Sequence, residues 1–183
     1  TGCVPFKLEL TPESVLADIG AGTGSVSVEA ALSWKVKSVW AIEKNREAVE
    51  LLRQNIARAE RAGSGTIHLL EGEALALLTD PEIREQFRTG HRLTHAFLGG
   101  TSGNMKQILV SAFKPESADA HCDQRHCLES VAAAVAALKD LSIEAEIVSV
   151  QTAKAKKAGS YHLMQGQNPV YIISFGGKDE NEA

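Results

Sequence analysis

The stretch Ser14–Gly24, SVLADIGAGTG, limits what this chain can fold into more than any other. An apolar run ends in Asp18, and glycines follow at positions 20, 22 and 24. A buried strand therefore runs out at Gly20. The backbone turns sharply through residues without a Cβ, and a helix begins at Ser25 with its free N–H groups facing the turn. The dinucleotide fingerprint G-x-G-x-x-G needs a third glycine where Ser25 stands, so a nicotinamide oxidoreductase fits poorly. The spacing D-x-G-x-G-x-G leaves room for a methionine-type tail rather than a pyrophosphate. Asp18 at the head of the loop suits an ammonium group or the loop's own N–H donors. A tight strand–helix turn with no ligand would use the same glycines, so the loop alone leaves both readings open.

The rest of the chain repeats the strand–helix alternation. Ser14–Gly20, Lys37–Glu43, Thr66–Leu70 and Thr94–Leu98 read as strands, as do Ile143–Thr152 and Val170–Phe175. Helices are expected at Ser25–Ser33, at Asn45–Ala62 with Asn45 as N-cap, at Glu73–Leu78, at Asn104–Phe113 and at Leu128–Leu141. In the second of these, Ala48, Leu51, Leu52, Ile56 and Ala59 recur at helical spacing. Thr79–Arg92 is polar and reads as a helix or loop insertion, and the tail 177–183 as frayed. Such alternation makes a mostly parallel α/β sheet, which binds ligands at the carboxyl ends of its strands.

Three of those ends carry acids. Asp18 closes the first strand. Glu43 closes the second, near the expected ~20 residues beyond the glycine loop, where a carboxylate can accept both hydroxyls of a ribose. Glu71-Gly72-Glu73-Ala74 closes the third, where an acid commonly meets an adenine amino group. Glu43 also reads as a solvated charge, and Glu73 as a helix cap. The three together look like the S-adenosyl-L-methionine site of the Rossmann-like class I methyltransferases. That fold implies a seven-stranded sheet with helices on both faces and an antiparallel last strand, for which Val170–Phe175 is the candidate. The fourth strand ends in FLGGT, Phe97 to Thr101, instead of the Asn/Asp-Pro-Pro-aromatic motif of many amino-group methyltransferases.

DIGAGTGSVSVEAA, FLGGT, the Leu128-Glu129-Ser130 helix start and the ending GSYHLMQGQNPVYIISF together resemble the decarboxylating precorrin methyltransferases of cobalamin biosynthesis, the precorrin-6Y C5,15-methyltransferase family. The resemblance covers Leu8 to Gly176. It implies transfer of a methyl group from S-adenosyl-L-methionine to C15 of a precorrin tetrapyrrole, with decarboxylation of the acetate side chain on ring C. It implies a cofactor site at Asp18, Gly20, Gly22, Gly24, Glu43, Gly72, Glu73, Ala74 and Gly99. Gly100, Thr101, Tyr161 and Met164 would border the substrate, and His162 would be the catalytic donor of a proton or hydrogen bond. The resemblance further implies a homo-oligomer, a tetramer, and a separate domain or subunit for C5 methylation. The family's N-terminal helix has only TGCVPFKLELTPE as a counterpart. A methyltransferase of another planar substrate, or a non-catalytic S-adenosyl-L-methionine-binding relative, shares most of these features.

Composition narrows the field further. With 183 residues and 44% hydrophobic content, a single domain can bury a core. A formal charge of −4 argues against a broad nucleic-acid face. No apolar run approaches the ~20 residues of a membrane span. TGCVPFKLEL lacks a charged segment followed by an apolar one, so it does not read as a signal peptide. Three cysteines without framework spacing suit a cytoplasmic protein.

One stretch resists this reading. AHCDQRHCLE, Ala120 to Glu129, holds His121, Cys122, His126 and Cys127. Adjacent His–Cys pairs diverge, so a metal site is not expected. The topology puts the fifth strand here, and a central strand should be apolar. CDQRHC can be encoded by codons that read Val-Ile-Asn-Ala-Ile one base later. The hypothesis is a local frame change, which should leave the fifth strand weakened or displaced; resequencing the coding DNA tests it.

Overall fold

The computed structural model describes residues 7–88, 92–101, 103–112, 120–125 and 128–176. Seven strands form one sheet: β1 (Val15–Ile19), β2 (Ser38–Glu43), β3 (Thr66–Glu71), β4 (His95–Leu98), β5 (Ala120–Arg125), β6 (Glu146–Val150) and β9 (Val170–Phe175). Their order is β3-β2-β1-β4-β5-β9-β6. β7 (Ala153–Ala158) and β8 (Tyr161–Gly166) pair only with each other. The helices are α1 (Ser25–Glu29), α2 (Arg46–Arg61), α3 (Ala74–Thr79), α4 (Pro81–Arg88), α5 (Met105–Ala112) and α6 (Leu128–Asp140).

Strand alternation sorts the core onto two faces. Val15, Ala17, Ile19, Trp40 and Ile42 pack with Ala74 and Leu78 of α3, Ile108 of α5 and Leu138 of α6. Leu16, Val39 and Ala41 pack on the other face with Val26 of α1 and with Leu52, Ile56 and Ala59 of α2. β1 and β2 are buried along their whole length because helices cover both sides. Leu8 and Leu10 join the α1–α2 face, and Lys7 Nζ reaches Glu146 Oε2 at 2.6 Å, so the segment before β1 is packed onto the sheet. Residues 1–6 and the tail at 177–183 lie outside the described residues.

Local signals place the helices. Asn45 Oδ1 accepts from the N–H groups of Glu47 (2.9 Å) and Ala48 (3.1 Å), capping α2 as its sequence predicts. The buried stripe of that helix is Val49, Leu52, Ile56 and Ala59, while Leu51 is exposed. Asp80 caps α4 through Glu82 and Ile83 N–H, which makes a helix of the first part of the polar stretch 79–92. α1 continues as a π-helical turn, Ala30–Trp34. A π turn reaches five residues ahead and leaves carbonyls free, and Ala31 O accepts the Gly65 N–H instead (3.2 Å).

Two findings correct the sequence reading. β5 is not displaced: pairs from His95–Ala120 to Leu98–Asp123 join it to β4 in parallel, and His121 to Arg125 pair antiparallel with β9. His126 and Cys127 lie outside the described residues, among which no group of three or more His, Cys, Asp or Glu is placed to hold a metal. The second is the β7–β8 hairpin, which sequence periodicity did not reveal. β9 runs antiparallel to both β5 and β6. β6 is therefore parallel to β1 and β4, and its end at Val150 lies on the same sheet edge as theirs. The hairpin springs from that edge. Among the described residues, no helix is long and apolar enough to cross a membrane.

Candidate active site

At this carboxyl edge the loops are tied to the strands by doubly accepting carbonyls. Ile42 O takes the N–H groups of Gly20 (2.9 Å) and Ala21 (3.0 Å), and Ile19 O takes those of Gly99 (2.8 Å) and Gly100 (3.1 Å). The loops after β1 and β4 thereby meet backbone to backbone. Gly20 has φ +75°, and a Cβ there would stand 2.6 Å from Gly100 N and 2.8 Å from its Cα. A Cβ on Gly99 would stand 2.9 Å from Gly20 O. Gly99 is thus glycine because of Gly20, whereas Gly100 has space beside it. Gly24 backs onto Leu52 rather than onto the cleft. Gly22 is different: at φ +58° it has nothing within 4 Å of where a Cβ would be, so it presents open backbone.

Glu43 holds that open backbone in place. Its Oε2 accepts the Gly22 N–H (2.8 Å), and its Oε1 accepts those of Lys44 (2.8 Å) and Asn45 (2.7 Å). A carboxylate offers about four acceptor sites, so these three contacts leave it capacity for a hydroxyl donor. Glu43 O also accepts the Gly72 N–H (2.9 Å), bringing in the third loop. There Glu73 Oε2 accepts the Ala76 N–H (3.1 Å) as the cap of α3, and Ala74 is buried behind it. Thr101 is buried, and its carbonyl accepts the Asn104 N–H (2.8 Å) just before α5.

Asp18 is fully buried. Its Oδ2 accepts the Ser27 N–H (3.0 Å) and the Ser27 hydroxyl (2.5 Å). Both of these donors come from the first turn of α1, and Asp18 Oδ1 is buried without a hydrogen-bond partner among the described residues. Burial pushes the Asp18 carboxyl up to about 6; the Ser27 hydroxyl and N–H pull it back in part, and the Glu43 charge adds a smaller upward push. Ser27 was missed in the sequence. Only its place in the first turn of α1 could have marked it.

A family model for the precorrin methyltransferase domain matches residues 6–175. The chain belongs to the precorrin methyltransferase family. It is 35% identical over 170 residues to a Pyrobaculum calidifontis protein named "Probable cobalt-precorrin-6B C(15)-methyltransferase (decarboxylating)", covering 92% of this chain and 81% of that one. It is 32% identical over 177 residues to the cobalt-precorrin-6B C(15)-methyltransferase (decarboxylating) of Salmonella typhimurium, covering 96% and 84%. Among solved structures, the precorrin-6y C5,15-methyltransferase of Geobacter metallireducens superposes with a TM-score of 0.76 at 28% identity, covering 96% of this chain and 86% of that one.

In this precorrin methyltransferase the sequence-predicted residues divide into two groups. Asp18, Gly20, Gly22, Gly24, Glu43, Gly72, Glu73, Ala74, Gly99, Gly100 and Thr101 all stand at the ends of β1 to β4. Tyr161, His162 and Met164 stand on β8, exposed. Alternation sends His162 and Met164 to one face of the hairpin and Tyr161 to the other. A single flat ligand on the hairpin meets one set, not both.

Proposed function

We propose that this chain methylates C15 of a precorrin macrocycle with S-adenosyl-L-methionine as donor, and that carbon dioxide leaves from the acetate side chain on ring C. The observation that carries the reading is the open Gly22 backbone clamped by Glu43, in a chain of this family. The donor set fits the cofactor: Glu43 keeps acceptor capacity for a ribose hydroxyl, and Gly22 lets a flexible tail approach the main chain. Gly72, Glu73 and Ala74 stand on the adenine side, and Gly100 and Thr101 border the substrate. When bound, the sulfonium supplies an electrophilic methyl group.

The protein's share is positioning. Asp18 and Ser27 fix the start of α1, and Glu43 fixes Gly22, so the loop is set before the donor arrives. Alignment of two bound partners supplies much of the rate of such a transfer. The electron-rich macrocycle carbon is itself the nucleophile. The conjugated ring can take up the electron pair released when the carboxylate leaves. The homo-oligomeric state, a partner that methylates C5 and a cytoplasmic location belong to the same proposal.

Calorimetry with S-adenosylhomocysteine and, separately, with NAD is the first test. Micromolar binding of the first alone is expected, and binding of neither sinks the enzyme reading. Turnover with a precorrin pool is then followed by mass, for a methyl gained and carbon dioxide lost. A methyl gain without the loss restricts the activity to methylation.

A further inference from the structure

The glycine loop is gripped a second time, from α2. Glu43, just before that helix, takes the Gly22 N–H at 2.8 Å. Asn55, inside the helix, donates its side-chain Nδ2–H to the Thr23 carbonyl at 2.9 Å. Leu52 is fully buried against the far side of Gly24 and leaves no room there for a Cβ. Leu52 and Asn55 are three residues apart, so they share a face of α2. Gly22, Thr23 and Gly24 are thus each met by a different side chain of one strand–helix unit.

The loop needs such holding. Gly22 (φ +58°) and Gly24 (φ +82°) flank Thr23, and glycine restricts its own backbone least of all residues. Glu43 fixes the N–H before the Gly22–Thr23 peptide, and Asn55 fixes the carbonyl after it. Among the described residues, that peptide's own C=O and N–H take no hydrogen bond within the chain. It is held from both sides with its polar groups left for a ligand. Arg58, a donor only, aims Nη1 at Asn55 Oδ1 (3.5 Å), which turns the amide N–H groups toward Thr23. Val28, Leu32 and Ala59 line the same groove and offer the amide no competing polar partner.

We infer that Asn55 is a positioning residue for the methyl donor: through the Thr23 carbonyl it keeps the glycine loop in the conformation that the donor's tail meets. The inference rests on the function proposed above and adds a residue of α2 to it. The effect is one of population. A loop released on one side spends time in other conformations, and apparent affinity falls with the fraction that is competent, while the bound complex stays the same.

Asn55→Leu removes the amide, keeps the volume and improves helix propensity beside apolar neighbours, so the fold is kept. Its melting temperature should equal or exceed that of wild type. By calorimetry its Kd for S-adenosylhomocysteine should rise roughly fivefold to tenfold, as for one lost hydrogen bond. In turnover the KM for S-adenosyl-L-methionine should rise alike, with kcat and the KM for the precorrin kept. Amide hydrogen exchange at Gly22 and Gly24 should quicken before any ligand is added. Asn55→Gln keeps an amide on a longer stem and should recover most of the affinity. Gln54→Ala, at an exposed position of the same helix, should change none of these values. An unchanged Kd or unchanged exchange in Asn55→Leu overturns this inference alone. So does an equal loss in Asn55→Gln, or a loss that tracks a lower melting temperature. A wild type that binds no S-adenosylhomocysteine overturns the proposed function together with it.

Discussion

Gly20 and Gly22 are two residues apart and answer to different constraints. Gly20→Ala would press a Cβ into the Gly100 backbone at a φ that L residues avoid. It should cost about 2–4 kcal/mol, read from urea denaturation. Gly22→Ala meets no neighbour, so only its φ of +58° is strained, at about 1 kcal/mol. Its methyl group projects into the open cleft, so the affinity for S-adenosylhomocysteine should fall far more than the stability does. Asp18 gives a pH signature. Its folded pKa of about 6 lies above the unfolded value of 3.8, so between these pH values the folded state keeps a proton the unfolded state has released. Its contribution therefore falls as pH rises through that window, by roughly 3 kcal/mol. Asp18→Asn should flatten that part of the curve relative to wild type, in urea midpoints measured from pH 4 to 7. The alternation of Asp and glycine made the loop legible in the sequence. That Gly99 is small because Gly20 is near, or that Ser27 holds Asp18, depends on contacts between distant positions, which spacing along the chain does not encode.

At the level of elements, strands with apolar runs bounded by Gly or a charge were read correctly, because burial on both faces leaves that imprint. β5 carries no such imprint, yet its backbone pairs on both edges, so position in the sheet overrides composition. Replacing Cys122→Val, Asp123→Ile, Gln124→Asn and Arg125→Ala should leave the register intact. The unfolding temperature should be raised by several degrees, since a strand paired on both edges favours β-branched and apolar residues. A calorimetric scan measures it, and a lower midpoint would show that the polar residues have partners of their own. The hairpin was invisible for the opposite reason. AKAKKA and YHLMQG bury nothing against the sheet, so neither strand shows a one-sided apolar pattern.

Across the whole molecule, the sheet and its helices form one packed body, and the hairpin is the part outside it. Val150 and Val170 face each other across β6 and β9, so the chain leaves the sheet and returns at neighbouring points. Residues 151–169 are therefore an excursion whose ends already meet. Replacing them with an Asn-Gly turn should leave a sheet that folds and binds S-adenosylhomocysteine with wild-type affinity, seen by circular dichroism and calorimetry, while precorrin turnover is lost. A chain that no longer folds would show that the hairpin supports the core. This geometry makes the protein modular: the sheet and its helices are a chassis, and residues 151–169 are an insert that leaves and rejoins it at one turn. Descent could exchange that insert, and an engineer could graft another, without reopening the core.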